Sequence, residues 1–111
     1  MEKLEFYRAK VIEVLSEFGE PPSANPDIER QFIGDTERDR YGIVFFGFQN
    51  GRQMCGCVLY IEIKNGKIWI QHNNTELEIG KELVALGVPK EDIVLGFQPP
   101  FMRQFTDYAT G

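Results

Sequence analysis

Apolar and polar residues alternate along the middle of the chain, and Asn-Gly interrupts the alternation twice. Asn50-Gly51 separates Tyr41–Phe48 from Gln53–Lys64. Asn65-Gly66 then separates that long run from Lys67–His72. Asn and Gly tolerate the positive φ angles that a two-residue type I′ turn requires, so each pair predicts a β-hairpin. The pattern therefore predicts a three-strand antiparallel meander.

Counting outward from the two turns predicts which residues lie opposite each other. In a regular sheet one face then holds four pairs: Ile63 with Ile68, Ile61 with Ile70, Cys57 with Val44, and Cys55 with Phe46. The other face holds Ile43, Phe45, Val58, Tyr60 and Trp69. Because both faces are apolar, neither face can be left fully to solvent.

A helix is predicted before the meander. Apolar residues recur there at spacings of three and four, namely Leu4, Tyr7, Val11, Leu15 and Phe18. This is the stripe of an amphipathic helix, and Gly19 with Pro21-Pro22 is predicted to end it. Such a stripe must cover one face of the sheet.

A second helix is predicted after the meander. Thr75 followed by Glu78 has the spacing of a capping box, which predicts a helix start at Thr75. The helix is predicted to run through Ile79, Leu83 and Leu86 and to stop at Gly87, with Pro89 preventing its continuation. The proline and acidic residues of Pro89-Lys90-Glu91-Asp92 favour one more short helical turn.

The remaining segments complete the predicted architecture. Ser23–Asp27 is predicted to be a loop, Ile28–Asp35 a further strand and Thr36–Arg40 a charged turn. The aromatic tail Phe97–Phe101 is expected to pack back on the domain. The fold class is therefore α+β. It consists of an antiparallel β-meander of three to four strands, flanked by an N-terminal and a C-terminal helix, with a single layer of helices on one sheet face.

Composition narrows the function classes. The chain has 111 residues, which corresponds to a single domain over residues 1–111, and 42% of them are apolar. The net charge is −5, from 17 acidic and 12 basic residues, and no segment concentrates Lys or Arg, so direct DNA binding by the protein alone is not expected. No secretory signal or membrane-spanning stretch is recognisable, so a cytoplasmic location is expected.

Candidate chemistry is sparse. Cys55 and Cys57 share a face too far apart for good disulfide geometry, so we expect reduced core residues. A metal site would need further ligands, and His72 is the only histidine, so no metal or other cofactor is predicted. An enzymatic alternative remains, a metal-dependent nuclease or hydrolase built on Glu37, Asp39 and His72. It requires these side chains to converge on one pocket.

Several motifs together resemble the XisI family, named for the fdxN element excision controlling factor of cyanobacteria. They are Asp35-Thr36-Glu37-Arg38-Asp39-Arg40-Tyr41, Gly56-Cys57-Val58, Gly66-Lys67-Ile68-Trp69-Ile70-Gln71, Thr75-Glu76, and the run Gly87–Phe97. The resemblance covers nearly the whole chain and keeps the motif order. It implies an accessory protein that acts with a companion called XisH and a site-specific recombinase in programmed excision of a DNA element during heterocyst differentiation. It implies no catalytic residues.

The leading hypothesis is therefore a non-enzymatic regulatory protein that acts through contacts with a XisH-like partner. A small-ligand-binding module with an aromatic pocket near Trp69 and Phe97 is a further alternative. A homo-oligomer is expected, most simply a two-fold dimer that covers the sheet face bearing Trp69. The predicted interaction surface comprises Arg38, Tyr41, Ile43, Phe45, Tyr60, Trp69, Phe97 and Arg103.

Overall fold

A five-stranded sheet with its two longer helices on one face forms the protein. The computed structural model describes residues 2–19, 27–75 and 77–111. The elements are α1 (Glu2–Gly19), β1 (Ile28–Asp35), β2 (Arg40–Gln49), β3 (Arg52–Lys64), β4 (Lys67–Asn73), α2 (Ile79–Ala85), a 3₁₀ turn (Lys90–Asp92), β5 (Ile93–Leu95) and α3 (Pro100–Arg103). The α+β prediction is confirmed.

Strand order in the sheet follows the chain, β1-β2-β3-β4-β5. The first four strands pair antiparallel, as predicted, and the turn residues Asn50, Gly51, Asn65 and Gly66 have φ angles of 54°, 76°, 55° and 74°. These values are those of type I′ turns. The fifth strand was not predicted. It pairs parallel to β4 after a crossover through α2, with Ile93 beside Ile68.

The helices α1 and α2 cover one face of this sheet and enclose the core, whereas α3 lies near Trp69 of β4. Tyr7, Val11 and Leu15 of α1 are buried as the stripe predicts, and α1 packs on β1, β2 and β3. The Tyr7 hydroxyl donates to the Asp92 carboxylate, and Lys3 lies 2.8 Å from the same group, which ties α1 to the 3₁₀ turn. The core residues from the sheet are Tyr41, Ile43, Leu59, Ile61, Ile63, Ile68, Ile70 and Ile93.

The four predicted cross-strand pairs are all present, but they do not share one face. Val44 lies opposite Cys57 and Ile43 lies opposite Leu59, so Val58 is an extra residue in β3. Such a bulge shifts the alternation of all later residues in the strand. Ile61, Ile63, Ile68 and Ile70 therefore lie under the helices, whereas Val44, Phe46, Cys55 and Cys57 lie on the helix-free face.

The same bulge makes the predicted second face wrong. Ile43 is fully buried and is opposite the buried Leu59, so it lies on the helix-covered face. Phe45, two residues along β2, lies on that face as well and is half-buried, and its ring lies over Gly56. Only Tyr60 and Trp69 lie on the helix-free face as expected. A second bulge, at Gln71 of β4, separates the Ile61–Ile70 pair from the Tyr60–His72 pair.

The start of α2 also differs from the prediction. The helix begins at Ile79, and the Thr75 hydroxyl caps a turn instead, because it accepts a hydrogen bond from the Leu77 N–H at 3.2 Å. The predicted stop is confirmed, since Gly87 has a φ of 103° and its N–H bonds to the Val84 carbonyl at 3.0 Å. The Pro21-Pro22 stop, the Phe18 side chain and all of the predicted loop except Asp27 lie outside the described residues.

Candidate interaction surfaces

The helix-free side of β1, β2 and β3 is an apolar surface, which we call the open face. Its large side chains are strongly exposed: Ile33 by 55%, Phe46 by 40% and Phe48 by 59%. Its other members are Val44, Cys55, Cys57 and Tyr60. Both cysteines are free and exposed, which corrects their prediction as core residues. Exposed contiguous apolar patches of this kind are typical of interaction sites.

A shallow depression of about 300 Å³ lies in the open face where Gly42 has no side chain. Ile33, Val44, Cys57 and Tyr60 surround the depression, and Asp35 and Arg40 lie at its edge. Burial raises the pKa of the Tyr60 phenol, with the nearby Glu62 carboxylate adding to the effect. A tyrosine is protonated at neutral pH, so Tyr60 presents a hydrogen-bond donor beside this apolar depression.

Ion pairs form the rim of the open face. Asp35 accepts hydrogen bonds from the backbone N–H groups of Glu37 and Arg38, and from the Arg38 guanidinium at 3.1 Å. These bonds, the Arg38 backbone first, hold the pKa of Asp35 below its usual range. Arg40 and Glu62 form a second pair, 3.5 Å apart. Opposite charges at the rim thus neutralise each other, and the predicted contact residue Arg38 is exposed.

Asp39 connects the turn before β2 to the rest of the fold. Its carboxylate accepts hydrogen bonds from Arg8 Nε at 2.5 Å and from Arg8 Nη2 at 3.1 Å. These bonds connect the turn before β2 to α1. The Tyr41 hydroxyl donates to Asp39 at 3.2 Å, and burial with this neighbouring carboxylate raises the pKa of Tyr41 to about 12. Asp39 is therefore committed to structural bonds.

The residues of the enzymatic alternative do not converge. Glu37 lies exposed in the turn after β1, Asp39 binds Arg8, and His72 pairs with Tyr60 in the sheet. Across residues 2–19, 27–75 and 77–111, no three His, Cys, Asp or Glu residues are close enough to hold a metal ion. The structure therefore does not support the metal site that the nuclease or hydrolase hypothesis requires at Glu37, Asp39 and His72.

Trp69 lies beside the open face, under the chain's own C-terminal segment. The Lys64 ammonium lies 4.3 Å from the centroid of the Trp69 ring, and the Arg103 guanidinium lies 5.3 Å from it. The Lys67 ammonium donates to the Gly111 carbonyl, which holds the last residue near the indole. The chain's own C-terminal segment thus covers part of Trp69, so this residue does not require another subunit for cover, and self-association stays a prediction. The half-buried Trp69 ring is an anchor for the tail through cation–π contacts.

The C-terminal segment exposes a second set of large apolar side chains. Phe97 is exposed by 45%, Phe101 by 66%, Met102 by 40% and Phe105 by 75%. Arg103 fixes the segment, because its guanidinium donates to the carbonyls of Gln98 at 3.0 Å and Gly96 at 3.3 Å. We call these four apolar residues the C-terminal apolar surface. A fixed backbone presents them without the ordering cost of a flexible tail.

A small cleft of about 230 Å³ lies next to this surface. Ile70, Leu95, Phe97 and Tyr108 line it together with the first turn of α2. The Tyr108 ring packs on Gly80, where a Cβ would come within 2.8 Å of it. Phe97 thus lines a cleft as the small-ligand alternative expected, but Trp69 does not.

The structure separates the predicted interaction residues into three groups. Tyr41 and Ile43 are buried beneath α1 and belong to the core, so their place in an interaction surface is wrong. Arg38, Tyr60 and Phe97 lie at or on accessible surfaces, and Phe45, Trp69 and Arg103 are partly covered. Sequence reasoning missed the most exposed apolar residues: Ile33, Phe46, Phe48, Phe101 and Phe105.

Comparison with known proteins agrees with this fold. The sequence model of a family described as XisI protein matches residues 1–110. The chain belongs to the XisI family. A XisI-like protein from Anabaena variabilis ATCC 29413 is 42% identical, and its crystal structure superposes with a TM-score of 0.91 over 97% of this chain and 99% of that one.

A second XisI structure from the same organism is that of the fdxN element excision controlling factor XisI. It is 34% identical and gives a TM-score of 0.86 over 98% of this chain and 99% of that one. No curated protein matches the chain. Since both XisI structures cover nearly the whole length, the sheet and the C-terminal segment are both parts of the XisI fold. No helix in the described part of the chain has the length and apolar character needed to cross a bilayer.

Proposed function

We propose that this XisI-family protein is an accessory factor that controls the excision of a DNA element, acting in the cytoplasm through contacts with a XisH-like partner. A site-specific recombinase would carry out the strand exchange. Family membership supports the process, because a 34% identical relative is an excision controlling factor. The net charge of −5 supports an indirect role, since an acidic protein lacks the main electrostatic contribution to DNA affinity.

The C-terminal apolar surface is the observation that carries the partner contact. Four large apolar side chains are exposed within the nine residues from Phe97 to Phe105. Exposed aromatic side chains on a fixed backbone are typical energetic centres of protein interfaces. The surface also includes Phe97 and adjoins Arg103, two residues predicted for an interaction surface from the sequence.

Titration against a XisH-like protein from the same genome tests the proposal. The substitutions Phe101→Ser and Phe105→Ser should each weaken binding about tenfold or more, the effect of losing a central aromatic contact. The matched control is Phe48→Ser, which removes an exposed phenylalanine from the open face and should leave the affinity within about twofold. Circular dichroism of each variant verifies folding.

Two results would contradict the proposal. One is the absence of binding between the wild-type proteins at micromolar concentration. The other is binding that survives both C-terminal substitutions but is lost in Phe48→Ser, which would assign the partner to the open face instead.

A further inference from the structure

We infer that the open face binds a second copy of this chain, forming a two-fold dimer in which two sheets pack face to face. The helices α1 and α2 occupy the other side of the sheet, and the C-terminal segment with α3 contacts Trp69 of β4. Over β1, β2 and β3 the open face presents Phe46, Phe48 and Ile33 to solvent. Domains bury both faces of an apolar sheet by adding a second layer. A sheet of another copy supplies that layer with matching twist, as in sandwiches whose sheets lie about 10 Å apart.

The available area is in the range that a dimer needs. Ile33, Phe46 and Phe48 are exposed by 55%, 40% and 59%. With roughly 200 Å² for one such side chain, these three residues alone present about 300 Å². A standard interface uses about 800 Å² from each partner, and the lower end is about 600 Å². Val44, Cys55, Cys57, Tyr60 and the rim residues can supply the remainder.

The charge distribution favours a second copy over an oppositely charged partner. Two copies with a net charge of −5 each repel one another, so contact between them is favoured at surfaces without unbalanced charge. At the rim of the open face Asp35 is paired with Arg38, and Glu62 with Arg40. The seven residues that define the open face carry no carboxylate, although Glu29 of the edge strand β1 lies beside them, opposite Phe46. Apart from Glu29, this face is therefore suited to contact between two like-charged molecules.

Sedimentation equilibrium from about 1 μM to about 100 μM tests the inference, a range that brackets the weaker standard-size interfaces. The wild-type chain should behave as a dimer at the upper end. Phe48→Ser and Phe46→Ser should each raise the dissociation constant about tenfold or more. Phe105→Ser is the matched control, since its phenylalanine is 75% exposed but lies on the C-terminal apolar surface, and it should leave the dimer intact.

Cross-linking provides an independent measurement that does not depend on removing an aromatic residue. In face-to-face packing the Cys55 thiols of two copies lie across the interface, so a short bis-maleimide should link them in the Cys57→Ser variant. The link should disappear when Phe48→Ser is added. Circular dichroism and thermal melts distinguish a folded monomer from a misfolded variant.

Three outcomes would overturn the inference. A wild-type chain that is monomeric at the highest concentration has no such interface. A dimer that withstands both open-face substitutions uses another surface. A dimer that is lost in Phe105→Ser, with Phe48→Ser unaffected, assigns self-association to the C-terminal apolar surface.

Discussion

Replacing Ile43 by alanine tests the bulge at Val58, because the bulge decides which face Ile43 occupies. In a regular sheet Ile43 would lie on the helix-free side, whereas the structure buries it completely opposite Leu59. Ile33→Ala makes the same chemical change at a residue of the open face that is 55% exposed. The pair of variants therefore differs mainly in burial.

The expected difference can be worked from the burial. Truncation of isoleucine to alanine removes three carbon atoms, which at about 0.8 kcal/mol per buried group gives about 2.4 kcal/mol, and the cavity adds to this. Ile43→Ala should therefore cost roughly 3–4 kcal/mol, a large part of a total stability of about 5–15 kcal/mol. Ile33→Ala should cost about 1 kcal/mol, because more than half of its side chain is already exposed.

Urea unfolding followed by circular dichroism measures both values. Each should be recorded at two protein concentrations, because a contribution from self-association depends on concentration whereas the cost of a core cavity does not. For a chain of this size the melting temperature of Ile43→Ala should fall by roughly 12–16 °C. Equal costs for the two variants, or a cost below about 1 kcal/mol for Ile43→Ala, would refute the face assignment.

Three further predictions concern charge, backbone and ligands. Burial opposes ionisation of Asp92, but hydrogen bonds from Lys3 and Tyr7 outweigh burial and lower the pKa of Asp92. The ionised carboxylate therefore stabilises the fold fully above about pH 5, and this stabilisation is lost as the pH falls through the folded pKa. In urea titrations between pH 2 and 7, Asp92→Asn should reduce the loss of stability at acidic pH. Gly87→Ala should lower the free energy of unfolding by about 1–2 kcal/mol, because Gly87 has a φ of 103° and the new Cβ would lie 3.3 Å from the Phe6 ring. An unchanged melting temperature would show that alanine is not strained at this position. By fluorescence anisotropy, the protein alone should show no sub-micromolar, salt-sensitive binding to duplex DNA. By calorimetry, it should show no Mg²⁺ binding that is lost in Glu37→Ala.

The hairpins could be predicted from sequence because their determinants are local. Asn50-Gly51 and Asn65-Gly66 specify their turns through φ angles alone, so the cross-strand pairs next to each turn are correct. The bulge at Val58 leaves no comparable signal, since a β-branched residue in a run of apolar residues fits a regular strand equally well. One unrecognised residue then moves Ile43 to the opposite face.

The C-terminal half of the chain shows a second limit of predicting the fold from sequence. The Thr75 and Glu78 spacing fits a capping box, but Thr75 bonds within its own turn, and the helix begins at Ile79. Pairing of β5 with β4 and the contact of Arg103 with Trp69 join residues far apart in the chain. Such contacts depend on the complete fold and have no local pattern. The candidate surfaces were therefore only partly predictable.

The contact between Trp69 and Arg103 gives the chain an intrinsic optical reporter. Trp69 is the only tryptophan, and two cations flank its indole. Its fluorescence emission therefore records the docking of the C-terminal segment more than the state of the core. Contacts at the C-terminal apolar surface should shift the emission strongly, whereas pairing of open faces centred on Phe48, at the far end of the long hairpin, should change the spectrum less, through the rim residue Glu62 beside Trp69. A single unlabelled sample can thus distinguish the two kinds of association.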